Sequence, residues 1–393
     1  MRPYRQAGEV PRKRHMLFSV DGAVLHEELF SRDGFSGPSS LLYHRHIPES
    51  AADVSEGPGD EIAMESEQVH EQAHLESFRL QGHGDMVTGR QWLLVNDDIR
   101  IGLAIPAQPQ TALFANGSAD EVLFIHQGSG TLHSQFGRLP FTRHDYLVIP
   151  RGTVYRVELD HLEDTRVLCM EIGALVDCPD RYRSHSGQLT ETAPYSERDF
   201  RSPDTLEQEE GPSQLWLKRG GRVTCYYLDH HPFDVVGWDG TVYPVAFNIH
   251  DFEPRSGRFR MAPPTHETFQ AHGVAISSLV PRRLDWDPEA SRLPYHHSNV
   301  DADEVVYHVD GGFAAYPGLQ SGSLTHHVGG LPHGPRPGAT DDAAKLPPET
   351  DEVAVRIDTS RPLHRTQVAR QIVDAGYPFS WRSKETKGAK PAR

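Results

Sequence analysis

Three residues in the last third of the chain, His297, Glu304 and His333, combine two imidazoles with one carboxylate. That donor set leaves coordination positions open, the arrangement by which non-heme iron(II) oxygenases admit substrate and dioxygen. Structural zinc sites are closed and usually hold thiolates, and calcium takes oxygen donors, so Fe(II) is the expected cofactor. In a small β-barrel alternate residues of each strand point inward, so donors from one strand and from the strand that returns beside it can meet at an interior point. The neighbouring His296 falls on the opposite strand face. With 24 histidines in the chain, two near a glutamate are unremarkable in themselves. Their place in a repeat is what singles these out.

Residues 118–130 read SADEVLFIHQGSG and residues 301–313 read DADEVVYHVDGGF, sharing Ala-Asp-Glu-Val at an offset of 183 residues. A second match follows each copy, PRGTVY at 150–155 and GGLPH at 329–333, so one architectural unit is expected twice. Counting back from His297, Asn299 and Glu304 gives Phe114, Asn116 and Glu121, and the approximate partner of His333 is Tyr155. Both imidazole positions are aromatic in the first copy, which is therefore expected to be a scaffold without metal. The order of an acidic residue opening a strand, a hairpin and a histidine after a Pro/Gly turn resembles the two motifs of the cupin jelly roll. Cupin metal motifs read H-x-H-x(3,4)-E with a later His, and here Asn299 stands in the second His slot.

The elements that must position these residues read as strands. The runs WLLVNDDIRIGLAIP, EVLFIHQGSGTLHSQFG and DYLVIPRGTVYRVEL are rich in β-branched and aromatic residues and are broken by Gly, Asn and Asp turns. The expected fold is mainly β, with two cupin-like jelly-roll or β-sandwich units, the first degenerate and the second metal-binding. The division expected is an N-terminal β-rich domain over 1–265 and a C-terminal catalytic cupin over 266–393. The first contains the degenerate barrel at about 85–175 and an irregular bridge at about 176–265. Residues 49–75 carry Glu49, Asp53, Glu56, Asp60, Glu61, Glu65, Glu67 and Glu71 with little apolar periodicity and read as an exposed, mobile loop. The polar stretch 336–350 and the last ten residues are expected to lack fixed structure.

Composition narrows the partners. A formal charge of -16 and a pI near 5.8 argue against nucleic acid or an anionic membrane as the main partner and favour a small molecule. Cys169, Cys178 and Cys225 form no C-x-x-C pair, so neither a disulfide framework nor a thiolate zinc site is indicated. No stretch of 18 apolar residues and no signal-peptide core is present, and a cytoplasmic protein is expected.

The stretches YRQAGEVPRKRH (4–15), SSLLYHRHIP (39–48), HHPFDVVGWDG (230–240), YPVAFNIHDFEP (243–254), YHHSNVDADEV (295–305) and PHGPRPG (332–338) resemble the homogentisate 1,2-dioxygenase family over most of the chain. The resemblance implies iron held at His297, Glu304 and His333, a β-rich domain packed on a cupin, and homotrimers or homohexamers. It also implies a para-dihydroxylated aromatic acid opened by O2, giving maleylacetoacetate when the acid is homogentisate, in tyrosine and phenylalanine catabolism. By position in the family pattern His266, and secondarily His327, take the acid/base or oxygen-orienting role, and Tyr295, Phe313 and Tyr316 are the expected substrate contacts. Phe313 stands where the family usually has Tyr, which removes a hydroxyl and opens the alternative of a related hydroquinone or gentisate-like acid. A cupin isomerase or binding protein without oxygenase chemistry is the reading from a different class.

Overall fold

Short β-branched and aromatic runs between turn residues fold into strands throughout the computed structural model, which describes residues 3–66, 68–259, 261–312, 318–337 and 347–382. The fold is mainly β, as expected. The chain divides into two units. The first comprises Met1–Ile62, Gln81–Trp92 and Ile99–Asp251, and the second Ala63–Leu80, Leu93–Asp98 and Phe252–Arg393. The second unit thus begins ahead of the expected boundary at 265/266 and recruits two segments from the N-terminal part.

In the first unit one sheet runs Phe200–Arg201, Val245–Asn248, Asp145–Ile149, Asp120–Gln127, Arg166–Ile172 and Ile99–Ala104. Its central strand Asp120–Gln127 is buried along all but its last residue, which explains why Val122, Leu123, Phe124 and Ile125 form a continuous apolar run rather than an alternation. Removing each of these side chains from water contributes about 1.5–3 kcal/mol. A second sheet places Tyr155–Leu159 beside Leu113–Asn116, and a third joins Arg5–Gly8, Val235–Gly240, Ser39–His44 and His26–Ser31.

Two expectations are corrected here. The stretch 176–265 is no irregular bridge, because it supplies strands to all three of these sheets. Its short strands carry Gly where backbones approach closely: a Cβ on Gly237 would lie 2.1 Å from the Glu9 carbonyl oxygen. Residues 49–75 are not a free loop either. Ala51–Glu56 pairs antiparallel with Arg222–Leu228 at a sheet edge, exposed on both faces, so it has no apolar pattern to read and is held by backbone hydrogen bonds. Asp60, read as solvated, is bonded to Lys218 and Arg100 at 2.9 and 2.8 Å.

The second unit is a sheet in the order Glu267–Ala271, Val274–Leu279, Val353–Thr359, Asp303–Asp310, Leu324–His327 and Ala73–Leu75. The last, wholly buried, is also drawn from the supposed loop. Phe313, Tyr316, most of the expected 336–350 loop and the C-terminal tail lie outside the described residues. All three cysteines are buried and free. Among the described residues no helix is long and apolar enough to cross a membrane.

One buried charge in the first unit has a pH signature. His44 donates to Asp234 at 2.7 Å and lies 2.9 Å from Glu28. Burial opposes its charge, but these two carboxylates outweigh it and push the imidazole up to about 9. A raised folded value gives stability that is complete below the unfolded value near 6.5 and is lost as pH rises through 9. The melting-temperature gap between wild type and His44→Gln is expected to be largest near pH 6 and to narrow by pH 10.

Candidate metal centre

Glu304 sits second in Asp303–Asp310, where strand alternation aims Glu304, Val306 and His308 at one cavity. Asp303, on the other face, fastens the strand start. Its carboxylate accepts the amides of Gly329 (2.7 Å) and Leu363 (2.8 Å) and lies 2.9 Å from His326 Nε2. The Gly329 bond anchors the turn that carries His333.

His297 and His333 lie outside regular strands, yet their backbones form a reciprocal bridge, His297 N–H to His333 O at 2.9 Å and His333 N–H to His297 O at 2.8 Å. The bridge brings the ring centroids to 4.2 Å. His297 Nε2 stands 3.8 Å and His333 Nε2 3.5 Å from the Glu304 carboxylate. One donor atom from each of the three residues lies within 4.8 Å of the others.

The electrostatics follow from burial of Glu304, which is 6 % exposed. Burial would raise its carboxyl, but the close imidazoles of His297, His327 and His333 and the charge of Arg356 hold it well below the usual carboxylate range. Arg356, opposite Val306, is 3.7 Å from Glu304 and is fixed by two bonds to Asp358 at 3.0 and 2.7 Å. His327 stands directly opposite Glu304 in the ladder, its Nδ1 3.3 Å from the carboxylate. Burial pushes this imidazole down, so it is neutral, with Nδ1–H donating to Glu304 and Nε2 accepting the Tyr377 hydroxyl at 3.1 Å. The Glu304 contact raises the His297 imidazole.

A metal cation fits this donor set. His333 Nδ1–H is directed at the Leu331 carbonyl (3.3 Å), which leaves the Nε2 lone pair for a Lewis acid, and that buried atom has no hydrogen-bond partner among the described residues. The cavity beside it measures about 500 Å³, a size suited to a small organic molecule.

Other expected site residues are distributed less closely. His266, buried at the end of the turn Pro263–His266, lines the same cavity, as does His327. Tyr295 is 56 % exposed with its ring edge-on to His297 at 6.2 Å. Gly311 and Gly312 line the cavity, while Phe313 and Tyr316 fall outside the described residues. Sequence reading missed Arg356, Tyr377 and Trp381. Trp381 donates to the Gly334 carbonyl at 2.9 Å, bracing the turn after His333. Only the alternation of Val353–Thr359 could have flagged Arg356 as inward-facing.

The chain resembles several known proteins. Residues 94–249 match the family model "Homogentisate 1,2-dioxygenase N-terminal". A Saccharolobus solfataricus protein, provisionally named a dioxygenase, is 34% identical over 381 residues, 96% of this chain and 98% of its own length. The chain belongs to the homogentisate dioxygenase family. Homogentisate 1,2-dioxygenases of Bradyrhizobium diazoefficiens and Rhodopseudomonas palustris are each 28% identical, over 59% and 70% of this chain. The chain spans 52% and 63% of the length of these two relatives. A solved cupin barrel protein from Leptotrichia buccalis gives a TM-score of 0.35 at 11% identity, covering 76% of this chain and 100% of its own. Family membership makes this chain an enzyme of the dioxygenase class.

Asp303→Ala leaves two buried amides without an acceptor. A loss of about 2–4 kcal/mol in chemical denaturation is expected, together with faster amide exchange in residues 329–333.

Proposed function

We propose that this chain is an Fe(II)-dependent ring-cleaving dioxygenase that inserts both atoms of O2 into a para-dihydroxylated aromatic acid, homogentisate or a close hydroquinone relative. The observation that carries this reading is the convergence of His297, Glu304 and His333 on one point at the wall of a cavity, in a chain of the homogentisate dioxygenase family. The set is not a closed structural zinc site, and since catalytic zinc can also take two imidazoles and a carboxylate, the preference for iron rests on the dioxygenase family.

His297, Glu304 and His333 would hold the iron. When bound, iron(II) supplies Lewis acidity toward a phenolic oxygen and the electrons that activate dioxygen. The protein's own residues place and protonate. Glu304 supplies the anionic donor, and Arg356 and His327 fix its carboxylate plane from two sides. The His297–His333 backbone bridge sets the spacing of the two imidazoles. His266 lines the cavity wall and would take the phenolic proton and return it to the opened product. His327, engaged at both ring nitrogens, is a positioning residue rather than a proton carrier.

Phe313 stands where the family pattern has Tyr, which favours a substrate whose ring substituent needs no hydroxyl partner there. A trimeric or hexameric assembly and action in the cytoplasm complete the reading, the former measurable by light scattering.

The decisive test is anaerobic reconstitution with Fe(II), followed by oxygen consumption and ultraviolet detection of ring opening across homogentisate, gentisate and substituted hydroquinones. Iron at one atom per chain with turnover of at least one acid is expected; stoichiometric iron without oxygen uptake would leave the cupin binding-protein reading in its place. His333→Ala is expected to stay folded by circular dichroism, to lose iron on gel filtration, and to lose turnover by about 10²-fold or more. Normal turnover by that variant refutes the ligand assignment. Phe313→Tyr is expected to change the ratio of kcat/KM between acids while leaving iron content unchanged.

A further inference from the structure

The first unit repeats the frame of the metal centre almost residue for residue. Asp120–Gln127 and Asp303–Asp310 begin with the same Asp-Glu pair. Asp120 accepts the amides of Arg151 and Val176, both at 3.0 Å, as Asp303 accepts those of Gly329 and Leu363. Phe114 pairs antiparallel with Tyr155, as His297 pairs with His333. Phe114, Glu121 and Tyr155 therefore hold the places of His297, Glu304 and His333.

At that point in the first unit lies the guanidinium of Arg90. It bonds Glu121 Oε1, bonds Glu171 at 3.0 Å, donates to the Tyr155 hydroxyl at 2.9 Å, and sits 5.4 Å above the Phe114 ring. Each of the three residues standing at a donor position thus touches the same cation. The Tyr155 hydroxyl donates onward to Glu121 Oε2 at 2.7 Å, so both carboxylate oxygens are engaged. Burial and the Glu121 charge push this hydroxyl well up, which keeps it protonated as a donor. Arg90 and Glu121 side chains are only 3% and 1% exposed. Nearby, Lys218 bonds Glu171 at 2.8 Å and Asp60 at 2.9 Å, so the surrounding carboxylates have cations of their own.

We propose that the first unit contains a cation site filled from within the chain, in which the Arg90 guanidinium takes the place assigned to the metal in the second unit. The class of ligand this site accepts is a planar guanidinium, not a metal ion. Phe114 offers no lone pair, Tyr155 is a neutral donor, and the carboxylate has no free oxygen. Guanidinium suits the role because its charge is permanent and its fork of N–H donors can meet a carboxylate and a phenol in one plane. The comparison with a metal rests on the function proposed above, but the site itself does not.

The test is a stability cycle on the full chain. Arg90→Met leaves Glu121 buried without its cation and is expected to lower the melting temperature by roughly 10 °C. Adding Glu121→Gln to it should recover more than half of that loss, because the uncompensated charge is gone. In parallel, Arg90→Gly refolded with a few millimolar guanidinium chloride should melt higher than in equal sodium chloride, the reverse of that salt's ordinary effect. Wild-type melting of Arg90→Met, losses that simply add, a double variant that folds no better than the single, or absence of guanidinium rescue would each overturn the assignment. These readouts do not depend on metal, so a protein found to hold no iron would remove the proposed function and leave this inference standing.

Discussion

Burying a carboxylate costs several kcal/mol unless donors surround it, and the second unit is organised around meeting that cost at Glu304. Three imidazoles and a guanidinium approach its oxygens, and each is held by something else: Arg356 by Asp358, His327 by the Tyr377 hydroxyl, His297 and His333 by their backbone bridge. The strand that carries Glu304 is itself fastened by Asp303 to the turn before His333. Neutralising one charge therefore orders the ligand turn, the strand start and the aromatic wall together. A carboxylate oriented in this way lies beside the His333 Nε2 lone pair, which has no hydrogen-bond partner among the described residues.

The parts of this arrangement legible in the sequence are those written as local pattern. The Ala-Asp-Glu-Val repeat announced two copies of one strand and pointed to His297 and His333 beside Glu304, although alternation could place only Glu304, since the two histidines lie outside regular strands. Even Tyr155 as the counterpart of His333 could be counted out, and the ladder pairs it with Phe114. What stayed hidden was nonlocal or unpatterned. Ala51–Glu56 is exposed on both faces, so its place in a sheet depends on its partner rather than on its own residues. Ala73–Leu75 is too short to show a period. Arg90 and Arg356 belong to no motif, and an arginine in a strand reads as a solvated face until the carboxylate it meets is known. The same error made Asp60 look like part of a charged loop when it is a partner of Lys218.

Comparing the two copies separates what the frame requires from what the chemistry requires. Both need the glutamate at the strand start, since it opens the inward face in each, and both need a positive charge against it. They differ in where that charge comes from. A guanidinium attached to the chain satisfies the carboxylate and leaves no position vacant there for a metal. In the second unit imidazoles stand at the two aromatic positions, Arg356 is tied to Asp358 and lies 3.7 Å from the carboxylate, and the His333 Nε2 lone pair has no hydrogen-bond partner among the described residues. The fold is common to both outcomes. A cation taken up from solution at the second unit, as proposed, would keep positions open to a substrate and to oxygen that a guanidinium bound to the chain cannot offer.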